Sequence, residues 1–256
     1  MNQPLPRRLL VFAKAPVAGR VKTRLAGAYG SRGAARIYAN LLDHTLRNAA
    51  AVGGVQLQLW ASPNRHPRLR SLAGCHGIPV RVQPPGDLGR RMDRALRRSL
   101  VGARAACIMG GDCPALTPAS IHQAFQELDL GVDAVFVPAE DGGYALVGLR
   151  RPVPGLFQAV PWGSAEVMRV TRRRLRAQGI RWRELAPSFD VDRPADVRRW
   201  RRQCRLAGQR LPSMLWAPPG VPRVCGESVP RSGERVAPPR RESSSSAVAP
   251  ERPDVP

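Results

Sequence analysis

Short apolar runs alternate with amphipathic stretches from residue 9 to about residue 206. The runs Leu9–Ala13, Val55–Ala61, Val80–Gln83, Ala106–Met109, Ala134–Pro138 and Ala145–Leu149 are short, lie among turn-forming residues and read as strands. Between them the period changes to that of a helix. Ile37, Leu41, Leu42 and Leu46 fall on one stripe, and Leu88, Met92, Leu96 and Leu100 stand four apart. Further helices are expected from Ala165 to Leu175, near Thr117, and from Ala195 to Arg205. Strand–helix alternation of this kind predicts one α/β domain over residues 1–206, with a mainly parallel sheet flanked by helices. Ligands of such sheets bind at the carboxyl ends of strands, so the loops there carry the candidate chemistry.

From about residue 207 the pattern stops. The remainder, 207–256, is rich in Pro, Ser and Arg and poor in apolar residues, and is expected to be a disordered tail. It contributes little to the net charge of +22, since residues 212–256 hold six arginines against five acids. The charge therefore belongs to the α/β domain, where it attracts phosphates and nucleotides. All but two of the 41 basic residues are arginine, a bias that codon usage explains as well as nucleic-acid binding does, and no nucleic-acid motif accompanies it. No run approaches the ~18 apolar residues of a membrane span, and Leu9–Ala13 is too short for a signal-peptide core. A cytoplasmic protein is expected. The five cysteines are scattered and form no C-x-x-C pair, which argues against a disulfide framework and a structural zinc site.

Phe12–Leu25, FAKAPVAGRVKTRL, follows the first strand and contains Lys14, Arg20, Lys22 and Arg24. Both lysines of the chain lie here, and an ammonium group is a compact point charge suited to phosphate. G-x-G-x-x-G and the Walker A pattern are absent, so the loop reads as a different phosphate cradle or as a solvated basic turn. The fourth strand runs into Gly110-Gly111-Asp112-Cys113-Pro114. Asp112 projects from a strand end, where one carboxylate suits Mg²⁺ or Mn²⁺ held jointly with substrate phosphates, or else caps the turn. Asp141-Gly142-Gly143 lies between two strands, as a plain hairpin or as an acidic group with cleared space beside it. Trp162 stacks on a ring or fills core, and Ser164 suits an N-cap. In Phe189-Asp190-Val191-Asp192 the two aspartates point the same way if the segment is extended, and so could complete a metal site with Asp112. Asp192 could equally start the next helix, with Pro194 in its first turn.

Taken together, FAKAPVAGRVKTRL, QPPGDLGRRM (83–92), GGDCPALTP (110–118), PAEDGGYALVGL (138–149), WGSAEVMRVT (162–171) and FDVDRPADV (189–197) resemble the GT-A-like glycosyltransferase family associated with arsenosugar biosynthesis. More distantly, the pattern is similar to molybdopterin and phospholactate guanylyltransferases. The resemblance implies a nucleotide-diphospho-sugar transferase-like fold binding Mg²⁺ or Mn²⁺ at Asp112 and Asp192. It implies donor phosphates near Lys14, Arg20, Lys22 and Arg24, and nucleobase and ribose near Gly86, Asp87, Gly89 and Arg90. Gly142, Gly143 and Trp162 are further substrate-binding candidates, and Asp141 is the candidate base. Gly111 stands where Ser or Thr is usual, Arg193 where Thr is usual, and Ala145 where an aromatic is common. The expected activity is metal-dependent sugar transfer from a nucleotide sugar to a small acceptor. Nucleotidyl transfer to a phosphorylated small molecule, releasing pyrophosphate, is the alternative. A non-enzymatic polyanion-binding protein is the third.

Overall fold

The computed structural model describes residues 4–62 and 66–208. The expected tail thus lies, but for residues 207 and 208, outside the described residues. Seven strands form one sheet: β1 (Arg7–Lys14), β2 (Val55–Ser62), β3 (Val80–Val82), β4 (Ala105–Gly110), β5 (Ala134–Pro138), β6 (Tyr144–Leu149) and β7 (Trp182–Glu184). Their spatial order is β3-β2-β1-β4-β6-β5-β7. All neighbours are parallel except β6, which runs antiparallel to both β4 and β5. The helices are α1 (Ala26–Ala50), α2 (Pro67–Cys75), α3 (Leu88–Leu100), α4 (Pro118–Asp129), α5 (Val167–Ala177) and α6 (Pro194–Leu206). The six expected strands are present. β7 and α2 are additions to the expected elements, because three residues of Trp-Arg-Glu and a Pro-led arginine-rich segment carry no clear apolar period.

Strand alternation sorts the core into two layers. Leu9, Val11, Cys107, Met109, Val135, Val137 and Leu146 pack on the side of α1 and α4, whereas Leu10, Ala106, Ile108, Phe136 and Val147 pack on the side of α3 and α5. Burial on both faces is why these strands read as continuous apolar runs rather than alternating ones. Cys107, Cys113 and Cys204 are buried free thiols, and Cys225 lies outside the described residues.

A third cluster joins α6 to α1. Val197 and Trp200 of α6 meet Ile37 and Leu41 of α1, together with Phe189 and Val191. Trp200 is only 2% exposed. It fixes α6, and with it the acidic segment that leads into that helix. Replacing Trp200 with Ala should cost about 3–5 kcal/mol through lost burial and the cavity left behind. Chemical denaturation should read this as a lowered midpoint; a change under about 0.5 kcal/mol, typical of surface sites, would contradict the packing role.

Candidate functional site: a lysine among three aspartates

Three loops meet at the carboxyl ends of β1 and β4. The Gly111 amide donates to the Phe12 carbonyl at 2.9 Å, tying the loop after β4 to the end of β1. The Val191 amide reaches the Asp112 carbonyl at 3.4 Å, bringing in the segment before α6. In that segment Phe189 and Val191 are buried, so the intervening Asp190 and Asp192 turn to the opposite side. The start of α6 leaves the Asp192 carboxylate available. Asp196 accepts the backbone N–H groups of Asp192 and Arg193, at 3.1 and 2.6 Å, and Arg193, not Asp192, is the N-cap.

Lys22 sits where these loops converge. Its backbone is left-handed, at φ 46° and ψ 46°, an uncommon conformation for a residue with a side chain. The side chain is 5% exposed and its ammonium lies 2.7 Å from Asp112, 3.6 Å from Asp192 and 3.8 Å from Asp190. Arg24 adds a contact of 2.5 Å to Asp192. Burial alone would lower the Lys22 pKa, but the charge and hydrogen bond of Asp112, aided by Asp190 and Asp192, raise it. Burial, with repulsion from Asp112, Asp141 and Asp192, pushes the Asp190 carboxyl up to about 6 against the pull of Lys22. A strongly basic chain thus holds a pocket in which three carboxylates face two cationic side chains.

Among the described residues, no three His, Cys, Asp or Glu side chains are grouped as a metal site. The ammonium occupies the position between the carboxylates. Carboxylate oxygens are the donor chemistry of Mg²⁺ or Mn²⁺, and Asp112, Asp190 and Asp192 supply that chemistry around the Lys22 ammonium.

Two cavities open on either side of Asp112 and share Phe12, Leu88 and Gly110. One is a polar cleft of about 700 Å³ lined by Lys14, Arg20, Lys22, Arg24 and Arg91. Lys14 and Arg20 have no carboxylate partner among the described residues, unlike Lys22 and Arg24. Arg91, Gln83 and Tyr38 also line this cleft, and none is among the residues expected there from the sequence. The Gln83 amide donates to the Trp60 carbonyl at 2.8 Å, and the Tyr38 hydroxyl accepts the Lys14 N–H at 2.9 Å. Gln83 and Arg91 fall within the segment 83–92, Gln83 just after β3 and Arg91 in α3, whereas Tyr38 lies within α1 and carries no motif signal. The other cavity, about 220 Å³, is lined mainly by apolar side chains, with Asp141, Gly143 and Trp162 at its wall.

The remaining candidates stand elsewhere. Asp87 caps α3, its Oδ1 accepting the Arg90 N–H at 2.8 Å. Gly89 and Arg90 face a separate surface depression with Phe157 and Gln158, and Gly86 and Asp87 line neither cavity. A Cβ on Gly89 would lie 2.2 Å from the Phe157 carbonyl oxygen, and one on Gly142 would lie 2.4 Å from Ala165 Cα. Close packing is thus sufficient reason for both glycines. Asp141 accepts the Gly143 N–H at 3.0 Å within the β5–β6 hairpin while also lining the apolar cavity, so the turn and the site coincide. The Cys113 thiol is buried, which together with Asp112 pushes its pKa well above the usual thiol range. It packs rather than reacts.

Residues 45–164 match the family profile described as an uncharacterized protein conserved in bacteria (DUF2064). No curated protein matches the chain. Among solved structures, the chain is similar to a protein of Desulfovibrio desulfuricans G20 described as a candidate nucleotide-diphospho-sugar transferase. The two share 28% identity over 78% of this chain and 87% of that one, with a TM-score of 0.71. It is also similar to CMP:2-keto-3-deoxy-manno-octonic acid synthetase in complex with CTP, at 15% identity, covering 79% of this chain and 99% of that one, TM-score 0.53. A nucleotidyl transferase from Methanothermobacter thermautotroptrophicus matches at 15% identity and the same coverage, TM-score 0.54. At that identity the last two share the fold alone. The fold is that of nucleotide-diphospho-sugar and nucleotidyl transferases. No helix among the described residues is long and apolar enough to cross a membrane.

The lysine–aspartate cluster gives a direct test. Lys22→Met should destabilise the protein by about 1–3 kcal/mol, less than for a fully buried pair because the carboxylates remain partly open to water. Adding Asp112→Asn should recover part of the loss, since one of the unpaired charges is gone. Strictly additive effects in this double-mutant cycle would contradict a direct interaction.

Proposed function

We propose that the protein is a metal-dependent glycosyltransferase that moves a sugar from a nucleotide diphosphate donor to a small acceptor. The observation that carries this reading is the meeting of a basic loop and three carboxylates at one cleft edge, with Lys22 2.7 Å from Asp112. Lys14, Arg20 and Arg91 line the polar cleft and would hold the donor diphosphate there. Asp112 and Asp192, with Asp190, would hold Mg²⁺ or Mn²⁺. The ion, when bound, would neutralise charge developing on the departing diphosphate. Lys22 and Arg24, now bonded to aspartates, would be freed towards phosphate as the carboxylates gain another cation.

In the transfer, the acceptor oxygen bonds to the anomeric carbon as the bond from that carbon to the diphosphate oxygen breaks. The nucleoside diphosphate leaves with the electron pair, and the hydroxyl proton passes to a carboxylate. Asp141, on the wall of the adjacent cavity, is our candidate for that base. The sequence resemblance to glycosyltransferases associated with arsenosugar biosynthesis supports sugar transfer, as does the 28% identity to the candidate sugar transferase.

Nucleotidyl transfer uses the same cleft and is the rival reading, supported by the fold shared with a CTP-bound synthetase. Lys14-Ala15-Pro16 in place of a glycine-rich turn after β1 favours the sugar transferase. Incubation with nucleotide sugars and with NTPs separates the two: sugar transfer releases a nucleoside diphosphate, nucleotidyl transfer pyrophosphate. A polyanion-binding protein would release neither and would bind nucleic acid without metal, with steep salt dependence.

Wild-type protein in Mn²⁺ with saturating nucleotide sugar should melt several degrees higher than without ligand, because ligand at ~100 times its Kd contributes about 2.7 kcal/mol. Asp112→Asn should lose the Mn²⁺-dependent part of this shift. An unchanged shift in that variant would remove Asp112 from the site.

A further inference from the structure

The apolar cavity beside Asp112 differs in chemistry from the cleft next to it. Its walls include Phe12, Met92, Ile108, Tyr144, Val147 and Trp162. None of the described residues lining it is Lys, Arg or His, although the chain carries 41 lysines and arginines. Its charged groups are Asp112, Asp141 and Asp190, all acidic. In the metal-free protein a phosphate or carboxylate placed here would meet Asp112, Asp141 and Asp190, and the nearby Lys22 ammonium is already engaged by Asp112 and Asp190, a costly arrangement away from bulk water. A polyhydroxylated body can pair some hydroxyls with Asp112, Asp141, Asp190, Ser164 or Tyr144, but those left against the apolar walls lose water without gaining partners.

We infer that this cavity takes an uncharged alcohol carrying an apolar ring, with the ring between Trp162 and the β4–β6 wall and the hydroxyl towards Asp141 and Asp190. The size agrees: a cavity of roughly 150 Å³ admits benzene, and this one is about 220 Å³. Trp162 stands edge-on to Tyr144 at 6.0 Å between centroids, leaving an aromatic surface for a flat ligand. The inference rests on the sugar-transfer reading to the extent that it makes this alcohol the acceptor.

The test uses the full chain and three probes: 2-naphthol, 2-naphthyl phosphate and myo-inositol, titrated calorimetrically at neutral pH with divalent metal removed. We expect 2-naphthol to bind one site per chain, at least tenfold more tightly than either of the others. Trp162→Ala should weaken 2-naphthol roughly tenfold, the loss expected for an aromatic contact of about 1.4 kcal/mol. Ser164→Lys, which places an ammonium at the cavity wall, should narrow the preference for the naphthol over its phosphate ester. Equal or tighter binding of the phosphate ester by the wild type would overturn the inference, as would 2-naphthol binding that Trp162→Ala leaves unchanged. The ranking of the three probes is read on the wild type, so misfolding of Trp162→Ala would not protect the inference from failure. Binding of a nucleotide sugar with Mn²⁺, measured in parallel, keeps the two readings apart. Probe failure with intact nucleotide-sugar binding removes only the acceptor class; loss of nucleotide-sugar binding with intact probe binding removes only the donor site.

Discussion

A single ammonium group holds the site together. The Lys22 Nζ lies within 4 Å of Asp112, Asp190 and Asp192, which come from two segments some eighty residues apart in sequence. Without a cation between them, these carboxylates would repel one another at the edge of a largely apolar domain. Burial first, and repulsion from its acidic neighbours second, raise the Asp190 carboxyl to about 6 even with Lys22 present. The left-handed backbone at Lys22 belongs to the same arrangement, since it lets the chain turn the side chain inward while Leu25, three residues on, enters the core.

From this cluster the site divides by charge. On the β1 side, cationic residues line a polar cleft; on the β6 side, an apolar cavity carries only carboxylates. Asp112 belongs to both. The proposed sugar transfer would use this asymmetry: stabilisation of growing negative charge on one side and a proton-accepting group on the other. The antiparallel strand β6 creates the second compartment. β5 runs in the same direction as β1 and β4, so the Asp141 hairpin that joins it to β6 lies at the end of the sheet where β1 and β4 terminate.

Much of this is legible along the chain. The two-sided apolar strands, the stripe on α1 and the four-residue spacing on α3 specify a sheet covered on both faces, because burial imposes those periods directly. The acidic segment before α6 is legible for the same reason: alternation of Phe189, Asp190, Val191 and Asp192 sends both carboxylates to one side once the apolar pair is buried. Asp87 and Gly89 are legible as a motif but not as a role. The first caps a helix and the second clears a carbonyl oxygen, and both needs leave the same letters in a sequence.

The sequence by itself determined the layered fold and the set of charged loops, since periodicity and local turn chemistry are properties of neighbouring residues. Only the tertiary structure decided which charges pair. Lys22 and Arg24 are occupied by aspartates while Lys14, Arg20 and Arg91 line the polar cleft with no aspartate on Lys14 or Arg20, and the cavity beyond Asp112 has no cation among its described lining residues. Coulomb energy depends on distances of a few ångströms between residues far apart in the chain, and those distances exist only once the strands have fixed where each loop ends.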